Sequence, residues 1–112
     1  MIEAIENFRK HNGVHDFISW NGLQSHYCNE HCWAMARAGD IYHAPAHYLN
    51  GWREAVAMMS YSGEDGHATK GQLIYDILGT SELHRKILLE CSELAYGLIL
   101  HHYRWYLTVR GR

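Results

Sequence analysis

Residues 81–109 read SELHRKILLECSELAYGLILHHYRWYLTV, and the reading of this stretch decides the fold. Leu83, Ile87, Cys91, Leu94, Leu98, His102, Trp105 and Val109 follow one another at steps of four and three, the spacing of one face of an α-helix. In the first half the polar residues agree, because Glu82, Lys86 and Glu90 stand one turn apart with alternating sign. The stretch therefore predicts a single long helix, capped by Thr80 or Ser81. Its second half differs. The polar stripe narrows to Glu93, Gly97, His101, Arg104 and Thr108, while Tyr96, Leu100, Tyr103 and Leu107 form a second apolar side. A straight helix of this length would run about 43 Å at ~1.5 Å per residue. A domain of this size has a diameter of about 34 Å. Either the helix bends, with Gly97 as the hinge, or its end projects, and a projecting end that is apolar on two sides needs a partner.

Working outward, Ile2, Ile5 and Phe8 share a helical face, with Glu3 and Glu6 early and Arg9, Lys10 and His11 late, an order that suits the helix dipole. Asn12 and Gly13 supply a left-handed stop. Residues 14–20 read as a short helix or turn closed by Asn21 and Gly22. Residues 25–38 read as a helix with Cys28, Cys32, Met35 and Ala36 on one stripe, ended by Gly39. Pro45 fits the first turn of the next helix, whose apolar face is Tyr48 or Leu49, Trp52, Val56 and Met59 and which ends at Gly63. A polar loop occupies residues 62–68. Thr69 and Gln72 then form a capping box before Leu73, Ile74, Ile77 and Leu78, and Gly79 stops that helix. No strand-like alternation of useful length is found. The sum is an all-α fold over residues 1–112, a compact bundle of about five helices in one domain, with a long C-terminal helix.

Composition narrows the function classes. Hydrophobic residues make up 47% of the chain and charged residues 20%, which places it with packed proteins rather than disordered ones. A net charge of −2 from 12 acidic and 10 basic side chains excludes a polyanion mimic and a general nucleic-acid binder, so nucleic acid is not an expected partner. The N-terminal residues lack the charged flank and apolar run of a signal peptide. The apolar stretch 94–100 is interrupted by Gly97 and is too short to span a bilayer, so no membrane partner is expected. Three cysteines do not make a disulfide scaffold, and a cytoplasmic location is the expectation. The chain is rich in His, Tyr and Trp, which pair an apolar body with a polar tip and concentrate where proteins meet other molecules.

The sharpest chemical signal is Cys28 and Cys32 followed by His43 and His47, two ligand pairs with zinc-like spacing, for which His26 or His31 could substitute at one position. The layout resembles a Cys2His2 zinc finger. It departs from that family in the short gap between the pairs, in Ala36 and Asp40 at the finger's inner hydrophobic positions, and in the helix expected before the histidines. The bland alternative makes the cysteines small buried hydrophobes, and Pro45 sets His43 outside the following helix. The weighing favours no cofactor, with zinc as the one metal these residues could hold. Asp40, Pro45, Tyr48 and Trp52 also resemble, faintly, an acidic-Pro-Tyr stretch of small phage antirestriction proteins. The DNA mimicry of that family does not transfer to a chain without its negative charge.

Enzyme signatures are missing. Ala44 stands where a zinc protease needs its glutamate between His43 and His47, and no nucleophile elbow, phosphate loop or dinucleotide fingerprint occurs. A cysteine nucleophile has no local pattern behind it. The run His101, His102, Tyr103, Arg104, Trp105, Tyr106 mixes bases and aromatics as single-strand binders do, but its positive charges are few. The expected function is a small helical interaction protein without catalytic activity. It would form a homodimer or dock on a larger protein as an inhibitor or adaptor through Leu100, Tyr103, Trp105, Tyr106 and Leu107. The alternatives are a zinc-binding domain and a small enzyme.

Overall fold

The computed structural model describes residues 1–61 and 70–112. Along the chain come helix α1 (Ile2–His11), strand β1 (Ser19–Trp20), helix α2 (Gly22–Ala38), the single turn α3 (Ala46–Leu49) and strand β2 (Arg53–Ser60). A π-helical turn, Leu73–Ile77, then runs into a 3₁₀ turn, Leu78–Thr80, before helix α4 (Glu82–Glu90) and strands β3 (Glu93–His101) and β4 (Arg104–Gly111). The strands form one sheet in the order β1-β3-β4-β2, antiparallel except for the short parallel pairing of β1 with β3. The polar loop at residues 62–68, the stop at Gly63 and the Thr69 cap lie outside the described residues. No helix among the described residues is long and apolar enough to cross a membrane.

The all-α expectation is thus overturned, and with it the helical bundle and the long C-terminal helix. Residues 81–109 split into one helix and a β-hairpin, which also removes the size conflict, since the molecule is 36 Å across at its widest. The cause lies in β4, the central strand. It is buried on both faces from Tyr106 onward, and Trp105, Tyr106 and Leu107 make a short apolar run before Thr108 and Arg110. Such a run matches a helical template as well as a strand one. The composition of residues 96–109, with Tyr96, Ile99, Tyr103, Trp105, Tyr106, Thr108 and Val109, favours the pleated form. The hairpin signal was hidden because the turn is His102-Tyr103 rather than Asn-Gly. Both residues adopt left-handed backbone, φ 48° and 62°, the signature of a type I′ turn.

Two further helix expectations fail for local reasons. Residues 14–18 are irregular and lead into β1. The helix expected from Pro45 to Gly63 stops after one turn, because Asn50 (φ 46°) and Gly51 (φ 89°) are left-handed in succession, and the chain then extends into β2. Helix α1 falls where the sequence places it, and α2 ends where expected but begins three residues earlier, at Gly22. Asn21 caps α2 by accepting the Gln24 N–H at 2.9 Å, and Gly39 closes it in the left-handed region.

The sheet divides the core. On one face α1, α4 and the turns at Leu73–Thr80 bury Ile5, Phe8, Leu78, Leu88, Leu94, Leu107 and Val109. On the other, α2 lays Cys32, Met35 and Ala36 against Val56, Ile99 and Tyr106. Helix α2 approaches β3 so closely that a Cβ on Gly97 would stand 2.5 Å from the backbone of Cys28 and Asn29. Gly97 is therefore a contact point between layers and not a hinge. Gly97→Ala should destabilise the fold by about 1–3 kcal/mol, towards the upper end because the atoms it meets are backbone. Urea denaturation measures this, and an unchanged midpoint would show that α2 can lift freely.

Candidate functional site

The register of β2 on β4 sets Glu54 directly opposite Arg110, both pointing towards α2. An isolated charge there would be prohibitively desolvated, and the two side chains answer each other: Arg110 Nε donates to Glu54 Oε2 at 2.9 Å, with both side chains almost fully buried. The outer end of Arg110 is tied to α2, where its Nη1 donates to Gln24 Oε1 at 3.1 Å. The second carboxylate oxygen of Glu54 faces the connection between α2 and β2. It accepts the Ala44 N–H and the His43 Nδ1–H, both at 2.9 Å. A carboxylate can only accept here, so His43 donates through Nδ1 and its Nε2 is turned outward. Glu54 is 1% exposed and His43 58%, so a buried anchor holds an accessible imidazole.

His84, on α4, belongs to the same neighbourhood. Burial pushes its imidazole below the ordinary value, and the nearby His43 adds to the shift in the same direction. Beside Arg110 a cleft of about 650 Å³ opens between α2 and the 41–50 segment. Its walls include Tyr27, His31, Tyr42, His47 and Tyr48. His31 Nε2 donates to the Tyr42 carbonyl at 2.7 Å and its ring meets the Tyr42 ring edge-on, so the two walls of the cleft are bonded to each other. Tyr48 is 67% exposed and stacks obliquely on His47 with ring centroids 4.4 Å apart.

The residues singled out from sequence scatter across this frame. Cys28 and Cys32 lie buried beneath α2, Cys32 Sγ donating to the Gly97 carbonyl and meeting Thr108 Oγ1, each at 3.3 Å. Burial pushes the Cys28 thiol up to about 12 and the Cys32 thiol to about 11. His43 sits on Glu54, and His47 is on the exposed turn α3. Among the described residues no group of three His, Cys, Asp or Glu side chains is placed to hold a metal ion. Of the five residues read as a partner surface, Leu100 and Tyr103 are exposed and Trp105 is partly buried, while Tyr106 and Leu107 are core residues on opposite faces of the sheet. Sequence reasoning missed Glu54, His84 and Arg110. The one available signal was that Glu54 and Arg110 each interrupt or end an apolar run, REAVAMM and WYLTVR.

An outer surface protein of Borrelia burgdorferi matches with a TM-score of 0.70 at 13% identity, over 98% of this chain and 87% of that one. An extracellular protein containing an SCP domain, from Bacillus anthracis, matches with a TM-score of 0.63 at 18% identity, over 100% of this chain and 40% of that one. The chain thus spans two fifths of the second protein's length. At these identities the likeness establishes a shared fold. No protein-family model and no curated protein sequence matches the chain.

Two outcomes test the site's energetics. Glu54→Gln leaves the buried Arg110 guanidinium without its counter-charge and should cost about 3–5 kcal/mol. A loss under 1 kcal/mol, read by urea denaturation, would mean that water reaches the pair. His84 carries the pH dependence. Its folded value lies below the ordinary 6.5, so the unfolded chain takes the proton first as pH falls. Stability is therefore full above 6.5 and declines as pH drops through that value, and His84→Gln should flatten this part of the thermal midpoint–pH curve.

Proposed function

We propose that this domain is a non-catalytic recognition module that docks a partner protein's segment in the cleft between α2 and the 41–50 segment. The observation behind the proposal is the buried Glu54 carboxylate, fixed by Arg110 and the Ala44 N–H, which orients an exposed imidazole beside a tyrosine-walled cleft. Tyrosine and histidine present large rigid contact area with a polar tip, the composition favoured at protein interfaces. The cleft volume lies within the range of sites that enclose a ligand group. Partner binding thus remains the function, and its surface shifts from the C-terminal residues to the cleft. Docking on a larger protein is preferred to self-association because the cleft is concave, and a two-fold contact needs a surface that complements itself.

Catalysis is less well supported. The thiols that feel both Arg110 and Glu54 are Cys28 and Cys32, and thiols pushed up to about 12 and about 11 by burial are protonated, poor nucleophiles at neutral pH. The surface and extracellular settings in the names of the two structural neighbours also favour recognition over metabolism. A second reading keeps zinc but changes its ligands. An imidazole whose Nδ1–H is held by a carboxylate has the orientation of a metal-ligating histidine, and His43 is held in that way by Glu54.

The test uses the full chain as bait. Tyr48→Ala should weaken partner capture about thirtyfold, the equivalent of a ~2 kcal/mol hot spot, while Trp105→Ala lowers stability and leaves the affinity of the folded fraction unchanged. The opposite pattern would return the interface to the C-terminal hairpin. For zinc, calorimetric titration of untagged protein should lose its signal in His43→Ala and keep it in Cys32→Ala. Loss in Cys32→Ala alone would restore the cysteine-based site.

A further inference from the structure

At the opposite side of the cleft's supporting helix, the last turns of α2 meet the tip of the β3–β4 hairpin. Arg37, His101, His102 and Arg104 line a depression of about 580 Å³ there together with Gly39 and Tyr106, and among the described residues no Asp or Glu lines it. The adjoining acid, Asp40, spends one carboxylate oxygen on the Ile41 N–H at 2.8 Å. Arg104 reaches across to cap α2, its Nη1 donating to the Gly39 carbonyl at 3.2 Å, and keeps the other faces of its guanidinium open. Trp33, His101 and His102 form a row of rings with centroids 5.5 and 4.0 Å apart. Within this group Trp33 is 42% exposed, and at the turn Tyr103 is 78% exposed.

The turn itself supplies an independent observation. His102 and Tyr103 both hold positive φ, where a residue with a Cβ is strained and where Asn-Gly would sit without cost. Tyr61 braces the strained turn, its N–H donating to the Tyr103 carbonyl at 2.7 Å. Stability alone does not select His-Tyr at this position. A strained pair kept outward, at the centre of a basic and aromatic end, points to a role for the two side chains.

We propose that this end of the molecule docks on an anionic phospholipid surface. Arg37, Arg104 and the two histidines face the phosphates, and Tyr103 and Trp33 enter the headgroup layer. Indole and phenol groups settle at that boundary because one end is apolar and the other wet. Basic residues at the surface add electrostatic attraction. Two arginines are few for tracking a phosphodiester backbone, which favours lipid over nucleic acid. Docking of this kind needs no spanning helix. It changes the sequence-based expectation of no membrane partner, which addressed spanning only. It stands apart from the cleft and does not depend on the cleft's ligand.

The experiment is sedimentation of the full chain with vesicles of phosphatidylcholine alone or mixed with phosphatidylglycerol, in low and raised salt. The chain should bind the phosphatidylglycerol vesicles, release them as salt rises, and ignore phosphatidylcholine. Arg37→Gln, at an exposed helical position, should weaken binding about fivefold, the effect of removing one basic residue near an anionic surface. The double variant His102→Asn with Tyr103→Gly relaxes the turn, so its thermal midpoint should rise while vesicle binding is lost. A structural role for the pair could not produce both changes. Equal binding to both vesicle types, no binding to either, undiminished binding by the double variant, or tighter binding to a single-stranded oligonucleotide would overturn the proposal. Should the double variant fail to fold, Arg37→Gln decides alone.

Discussion

The guanidinium of Arg9 is buried between α1 and the end of α4, and its Nη1 donates to the carbonyls of Leu88 and Cys91, each at 2.9 Å. Much of the architecture follows from this contact. Helix α4 has neither glycine nor proline at its end, and Cys91 simply turns to extended backbone, φ −78° and ψ 135°. The last carbonyls of a helix need partners, and here a side chain from the other end of the chain provides them. The cation also meets the negative end of the helix dipole, which favours a buried positive charge at that position. By ending α4 at Glu90, the contact releases residues 93–101 to become β3, the strand on which α2 rests and beside which β4 folds back.

That dependence explains which parts of the fold were legible. Helix α1 and the left-handed stop of α2 at Gly39 carry their own signals and could be read nearly to the residue, whereas the start of α2 was set three residues late, because Asn21 was read as closing the segment before it and is in fact the cap. The stop of α4 could not be read, because Arg9 is 79 residues from Leu88 in sequence and no local pattern announces the contact. The hairpin was concealed twice over, by a turn of His102 and Tyr103 that carries no glycine and by a central strand buried on both sides. Periodicity detects a face, and β4 has two buried faces.

The site was half legible. His43 was noticed for its spacing from His47, yet its partner is Glu54. An acid at the head of an apolar run, here directly after Arg53, is worth reading as half of a buried pair whose other member lies elsewhere. The other member, Arg110, lies 56 residues further along the chain, just past the stretch read as a helix. Once the strands are in register the two meet across β2 and β4, and everything around them has a reason: Gln24 steadies the arginine, and Ala44 and His43 complete the carboxylate. Pro45 ends the segment that carries both groups to the site and opens α3.

The three thiols bear on where such a domain can work. Cys28, Cys32 and Cys91 are all reduced and all buried, and desolvation raises each above the ordinary value, so the reactive thiolate is scarce in every one of them. A count of cysteines argues about redox environment only when the sulfurs can reach an oxidant or each other. Here the sulfurs serve as filling between helix and sheet, and the same packed interior would form in an oxidising medium as in a reducing one.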